Sequence, residues 1–193
     1  MDTQTSKCLV LRATFLKEGQ KILSVYSEDY GLFSVIIKGC NSPLKSSLSE
    51  PFCEAEISFK KGSSDLRRFQ DGSIINLHLK LREKLSFIQS ASAIVKALLD
   101  TQLPETPSKP LYHLVSGFLK SLPLFTSQDT ILGCFYLKIL RHEGLYNKET
   151  FSHVKSTLDI EKIDKIALSQ SFIALKQQTL SKPEFEAIKA VFF

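Results

Sequence analysis

Arg12, Lys38, Arg67 and Arg68 fall on strand-like segments and Lys45, Lys60 and Lys61 on connections, interleaved with Tyr26, Tyr30, Phe33, Phe52, Phe59 and Phe69. Single-stranded nucleic acid asks for that combination, because ammonium and guanidinium groups neutralise phosphates while exposed rings stack bases. Phe33, Phe52 and Phe59 read better as core. For Tyr26, Tyr30 and the basic connection after Lys38, stacking and packing both stay open. The stretch Gly31–Ser49, GLFSVIIKGCNSPLKSSLS, is the most pointed: a strand-like run ends at Lys38-Gly39 and passes into a small, polar loop that carries Lys45 and no acid before Glu50.

Other chemistry finds little footing. His78, His113, His142 and His153 are dispersed with no Cys or carboxylate at ligand or triad spacing, and read as structural or surface residues. Cys8, Cys40, Cys53 and Cys134 form no C-x-x-C pair, which predicts packed or loop thiols rather than a zinc site or a disulfide framework. Lys45-Ser46 lacks the Gly-rich approach of a P-loop. Glu54 and Glu56 lie two apart, hence on one strand face, and read as a solvated outer face. The expectation is a non-catalytic protein with no cofactor and no metal.

The elements that must position these cations follow from periodicity. At 193 residues, 43% hydrophobic and 23% charged, the chain matches an ordinary globular protein, and its net charge of +5 is compatible with a polyanionic partner. The start, MDTQTSKCLVL, lacks the basic and apolar regions of a secretory signal, so a cytoplasmic, reducing setting is expected and no membrane association. Up to about residue 80 the pattern alternates with period two. Strands are expected at Lys7–Thr14, Gln20–Ser27, Leu32–Lys38, Phe52–Phe59, Asp65–Gln70 and Ser73–Lys80. Turns are expected at Glu28–Gly31, at Lys61–Ser64 and, as a type I′ hairpin, at Asp71-Gly72. Short strands in so few residues are best closed into a small barrel, so an OB-fold over residues 1–80 is the expected architecture.

Beyond Arg82 the period is helical. Leu85, Ile88, Ser92, Val95 and Leu99 form one stripe; Leu111 to Leu122 form a second; Ile131–Leu140 form a third, with Gly144 at the C-cap. Weaker helices are expected near Glu149–Ser156 and Ile166–Gln177. A last one opens with Ser181 as N-cap, Pro183 in the first turn and Glu184 at the capping-box position. The apolar end, Ala190 to Phe193, predicts a docked helix or a shortened chain. The fold class is thus α+β: an N-terminal OB-fold β-barrel followed by an all-α helical domain over 81–193.

Read in order, V-L-R at Val10–Arg12, K-I-L-x-V-Y-S at Lys21–Ser27, E-x-Y-G-L at Glu28–Leu32, V-I-I-K-G at Val35–Gly39 and S-x-L-x-E-P-F ending at Phe52 resemble the bacterial recombination mediator family RecO. The segment Phe135–Leu145, FYLKILRHEGL, resembles the family's helix before its zinc or zinc-like module. The resemblance implies an OB-fold that binds single- and double-stranded DNA, promotes strand annealing, and acts with RecR to load RecA onto DNA coated by single-stranded DNA-binding protein (SSB). It places the DNA at Arg12, Lys38, Gly39, Lys45, Arg67, Arg68, Tyr26 and Tyr30, and a partner such as the SSB tail at Phe135, Lys138 and Arg141. It also implies a bacterial, nucleoid-associated setting. The chain departs from the family at Cys40-Asn41-Ser42-Pro43, where relatives are more basic, at Gly133-Cys134, where some carry Arg, and after Tyr146, where no four-Cys module follows. A competing reading keeps the fold but makes the chain an adaptor for RecR or SSB.

Overall fold

Alternating small and β-branched residues build five strands: β1 (Thr3–Lys17), β2 (Gln20–Ser27), β3 (Gly31–Lys38), β4 (Glu54–Lys60) and β5 (Leu66–Asn76). The computed structural model describes residues 2–17, 19–62, 66–147, 149, 151 and 158–193. β1, β2 and β3 form an antiparallel meander, β4 pairs antiparallel with β1 and with β5, and β5 meets β3 in parallel, giving a closed barrel in the order β1-β2-β3-β5-β4. Closure removes every exposed edge of the sheet. The inward residues, among them Val10, Leu23, Val25, Val35, Ile57 and Phe59, are fully buried. Phe33 and Phe52 are buried too, as expected.

The β2–β3 turn is held by Ser27, whose Oγ accepts from the backbone N–H of Asp29 and of Tyr30 at 3.2 Å each. Gly31 follows at φ +67°, and a Cβ there would come within 2.5 Å of the Thr106 carbonyl carbon. Only glycine satisfies both demands.

The hairpin expected at Asp71-Gly72 does not form. β5 runs through it as one strand, and Gly72 pairs with Ile57. Its missing side chain serves a close approach instead: a Cβ would lie 2.9 Å from Leu48 Cδ1 and 3.0 Å from the Glu56 carbonyl oxygen. Leu48 belongs to a short helix, α1 (Pro43–Leu48), that occupies the expected polar loop after Gly39 and sends Leu48 into the barrel core. Of the Lys61–Ser64 turn, Ser63 and Ser64 lie outside the described residues, as does Asp65.

Among the described residues six α-helices follow: α2 (Leu85–Thr101), α3 (Lys109–Ser121), α4 (Gln128–His142), α5 (Ile160–Leu168), α6 (Phe172–Lys176) and α7 (Lys182–Phe192). The chain divides into two compact units, one of residues 1–80 with 98–119 and one of 81–97 with 120–193, so the division passes through α2. The face α2 buries is Phe87, Ala91, Ile94 and Leu98, whereas Leu85 is 70% exposed and Ser92 is exposed. The buried stripe is therefore rotated from the expected one, and the polar Ser92 marks the solvent side. α3 buries Leu111, Val115, Phe118 and Leu119 as expected.

In the second unit, α4 is buried continuously from Ile131 to Leu140 apart from half-buried Leu132, and packs against α5 and α7. Gly144 ends it at φ +71°. The helix expected over Ile166–Gln177 is two: α5 stops at Ser169, and Ser171 caps α6 by accepting from the Ala174 N–H. Most of the expected Glu149–Ser156 helix lies outside the described residues. α7 begins with the expected capping box of Ser181 and Glu184, and its Phe192 ring stacks on Tyr136 of α4 at 4.7 Å. Among the described residues, no helix is long and apolar enough to cross a membrane.

Candidate nucleic-acid interface

Cross-strand register sorts the outward side chains of the barrel into rows, because directly paired residues face the same way. Arg12 pairs with Ser24, Ser24 with Ser34 and Ser34 with Leu66. The next row runs Thr14, Ile22, Ile36, Arg68 and Lys60, and the third Lys17, Gln20 and Lys38. Arg12, Lys38 and Arg68, written far apart in the sequence, thus share one face with hydroxyls and short apolar groups between them. No hydrogen bond or ion pair engages the charged groups of Arg12, Lys38, Lys60 or Arg68 among the described residues. Arg68 and Lys60 sit directly opposite each other, a like-charge pair that destabilises the sheet unless an anion lies across it.

On the row of Ser24, Ser34 and Leu66 lies a groove of about 670 Å³ lined also by Ile22 and Leu32, with Leu99, Pro104 and the acidic Glu105 on its wall. An apolar floor with two hydroxyls suits the flat face of a base or sugar, while the flanking cations suit phosphates. Two contributors escaped the sequence reading. Phe15, near the β1–β2 tip, is 78% exposed, with the Lys21 ammonium 5.0 Å from its ring centre. Its neighbour Leu16 is exposed as well. Their signal was a strand continuing past Thr14 to a glycine turn, which lifts Phe15 clear of the core.

Other expected site residues lie elsewhere. The Tyr26 ring is fully buried and unavailable for stacking bases. Arg67 is 3% exposed: its guanidinium lies 3.8 Å over Phe33, 4.9 Å over Phe59 and 5.1 Å over Tyr30, and donates to Glu105 at 2.9 Å. It alternates with Arg68 along β5, so one arginine faces in and the other out. Tyr30, half-buried, packs edge-on against Phe59 at 5.4 Å. Gly39 makes a turn at φ +73°, and its N–H donates to the Gly19 carbonyl at 2.8 Å. Lys45 is half-buried on α1, where its ammonium donates to the Lys38 carbonyl at 3.0 Å and lies 5.8 Å from the Phe69 ring.

Of the expected partner site on α4, Phe135 is fully buried, Lys138 is buried and Arg141 is exposed. Lys138 donates to the carbonyls of Ala167 at 3.0 Å and of Ser169, and Arg141 to those of Ala167 at 3.1 Å and Leu168 at 3.2 Å. Both cations thereby cap the negative C-terminal end of α5. Burial, with the nearby Arg141 charge, brings the Lys138 ammonium down to about 8.

Glu54 and Glu56 do not share a solvated face. Glu56 is exposed, but a register shift after Glu54 turns that carboxylate inward, where it accepts from Tyr112 Oη and Ser116 Oγ at 3.0 Å each, with His78 Nε2 at 3.7 Å. Burial and the Glu54 charge push the Tyr112 hydroxyl upward, keeping it a donor. The cluster fastens α3 to β4. His113 lies 3.2 Å from Glu28, His142 lies 4.0 Å from Glu143, and His153 lies outside the described residues. All four cysteines are buried and free. Among the described residues no group of His, Cys, Asp and Glu is placed to hold a metal ion.

Residues 1–78 match the family described as Recombination protein O N terminal. The DNA repair protein RecO of Bacillus subtilis (strain 168) is 30% identical over 146 residues, 73% of this chain and 56% of that protein. RecO of Chlamydia pneumoniae is 24% identical over 140 residues, 71% of this chain and 55% of that protein, and RecO of Chlamydia trachomatis serovar D is 32% identical over 79 residues, 41% of this chain and 32% of that protein. The chain thus matches little more than half the length of the first two. Matching text, an OB-type closed barrel and the helices that follow it in the chain converge on one conclusion: the chain belongs to the RecO family.

Proposed function

We propose that this chain binds single- and double-stranded DNA along the outer face of β1, β2, β3 and β5 and promotes annealing of complementary strands in recombinational DNA repair. The observation that carries the reading is the set of cations Arg12, Lys38, Arg68 and Lys60, unneutralised among the described residues, the last two forced against each other across the sheet. A polyanion laid over them relieves that repulsion and releases condensed counterions. The face spans strands 2 and 3, and Phe15 stands beside the first loop, the places where OB-folds take oligonucleotides. Held on one face, two strands would have their mutual repulsion lowered enough for bases to pair. The names of the relatives support a role in DNA repair; a bacterial cytoplasm is the setting proposed, and by kinship RecR and SSB-coated DNA awaiting RecA are the partners in view. Phe135, Lys138 and Arg141 are not assigned to the SSB tail, since the first is buried and the other two serve α5.

The deciding experiment is fluorescence anisotropy of a labelled single-stranded oligonucleotide over a salt series. A log–log slope of about −2 to −4, or roughly three to six phosphates at about 0.7 each, is expected. No binding at low salt would leave the chain as an adaptor for RecR or SSB.

A further inference from the structure

Arg67 is a buried cation with unfinished hydrogen bonding. Its Nη2 donates to Glu105 Oε1, yet Nε and Nη1 are buried with no acceptor among the described residues. Three aromatic faces favour a cation there, but they satisfy none of its in-plane N–H groups. Leaving such donors dry is costly, more so on a charged group. The same guanidinium lines a cavity of about 190 Å³ together with Gln4, Tyr30, Lys61, Glu105 and Asp29. At about 30 Å³ per water in the liquid, that is room for roughly six waters.

Its polar lining is lopsided. Lys61 and Arg67 both reach the Glu105 carboxylate, at 3.3 and 2.9 Å. Gln4 Oε1 is buried without a donor and would accept from a protonated oxyanion, or present its amide after a half-turn. Asp29, the other acid, is already engaged by Lys109 at 2.9 Å and by Ser6 Oγ at 2.7 Å. Glu105 reaches the two cations from a left-handed backbone at φ +56°, anchored by its N–H donating to the Leu32 carbonyl at 2.9 Å. For a residue other than glycine, that conformation is strained and is kept only where its surroundings enforce it.

We propose that this cavity is a binding site for a phosphate group, with Arg67 and Lys61 as its cationic walls, and that the Glu105 carboxylate is the internal occupant a phosphate displaces. A tetrahedral oxyanion has the oxygens to meet Nε and Nη1 as well as Nη2, which one carboxylate oxygen cannot. The site adjoins the groove on the outer face, with Glu105 lining both, but Arg67 and Lys61 belong to none of the outward rows, so it stands whether or not that face binds DNA.

Thermal unfolding of Glu105→Gln tests it. In chloride buffer the variant is expected to melt below the parent chain, because Arg67 loses its charged partner. Inorganic phosphate at about ten times its dissociation constant should then raise the variant's Tm by roughly 3–6 °C. The parent should respond several-fold less. An equal response to chloride of matched ionic strength, or a variant no more responsive than the parent, overturns the proposal. Should the variant not fold, phosphorus NMR line broadening of inorganic phosphate by the parent chain, lost in Lys61→Ala, decides the same question: no broadening, or broadening unchanged by Lys61→Ala, refutes the site. A 5′-phosphorylated trinucleotide beside its unphosphorylated twin separates the sources. A larger shift with the phosphorylated strand identifies a strand end, and equal shifts alongside a response to inorganic phosphate identify free phosphate.

Discussion

The outer face of the barrel and the α4–α5 junction use the same chemistry to opposite ends. On the barrel, Arg12, Lys38, Arg68 and Lys60 stand on one face with no donor of their charged groups claimed among the described residues. At the junction, Lys138 and Arg141 spend their donors on the carbonyls of Ala167, Leu168 and Ser169. A cation is available to a ligand only when the fold has not already satisfied it. Sequence shows the charge and not its use.

The comparison can be broken most forcefully on the barrel. Replacing Arg12 and Arg68 together by Ala should lower single-strand affinity roughly ten- to hundredfold at about 50 mM salt and flatten the salt slope by about 1.4, two contacts at about 0.7 each. Tm should hold, since neither charged group has a partner among the described residues; an unchanged slope would remove this face from the site. Lys138→Met should do the reverse, costing about 1–2 kcal/mol of stability by stranding buried carbonyls and leaving DNA affinity within about twofold. Denaturant unfolding beside anisotropy measures both.

Stability should also follow pH. Asp29 and Glu105 are held below their ordinary values of 3.8 and 4.5, Asp29 chiefly by its hydrogen bond from Lys109 and Glu105 by that from Arg67. Their contribution is whole above those values and is lost as pH falls through the lowered folded ones. Lys138 is lowered from 10.5 to about 8, so its own contribution rises with pH between those limits, opposed from about pH 9 by the buried Cys8 and Cys134 thiols, which burial raises to about 12. Lys138→Met should remove the rising contribution, making stability fall more steeply with alkali, and leave the acid limb of Asp29 and Glu105 untouched. The smallest effect is expected from Lys45→Ala, less than about threefold on DNA affinity, because its ammonium is already engaged by the Lys38 carbonyl.

Much of the fold was legible because period-two and helical stretches follow one another cleanly: the bounds of β2 match the alternation, and the Ser181 capping box needs only local sequence. Misreadings arose where a neighbour distant in sequence decides the outcome. Gly72 reads as a turn until Leu48 is seen pressing on it, and α2 reads one stripe too far round because its inner face uses Ala91 and Ala97 beside Phe87 and Ile94. The site follows the same rule. Arg12, Lys38 and Arg68 could be picked by type, whereas the inward turn of Arg67 depends on parity along β5, which the mistaken hairpin had obscured. Phe15 was hidden for a related reason, since only the true length of β1 lifts it out of the core.

The barrel is sealed by the shortest of its ladders, where Ser34, Val35 and Ile36 run beside Leu66, Arg67 and Arg68. A short parallel seam between segments about thirty residues apart is the natural place for breathing, and its amide protons should exchange with solvent before those of the long β1–β2 and β1–β4 ladders. Consecutive arginines sit on that seam, one clasped inside by Glu105 and one reaching outward. Were a strand to bind Arg68 as proposed, a single peptide unit would separate it from the caged Arg67, which would make β5 a link between the outside of the barrel and its interior.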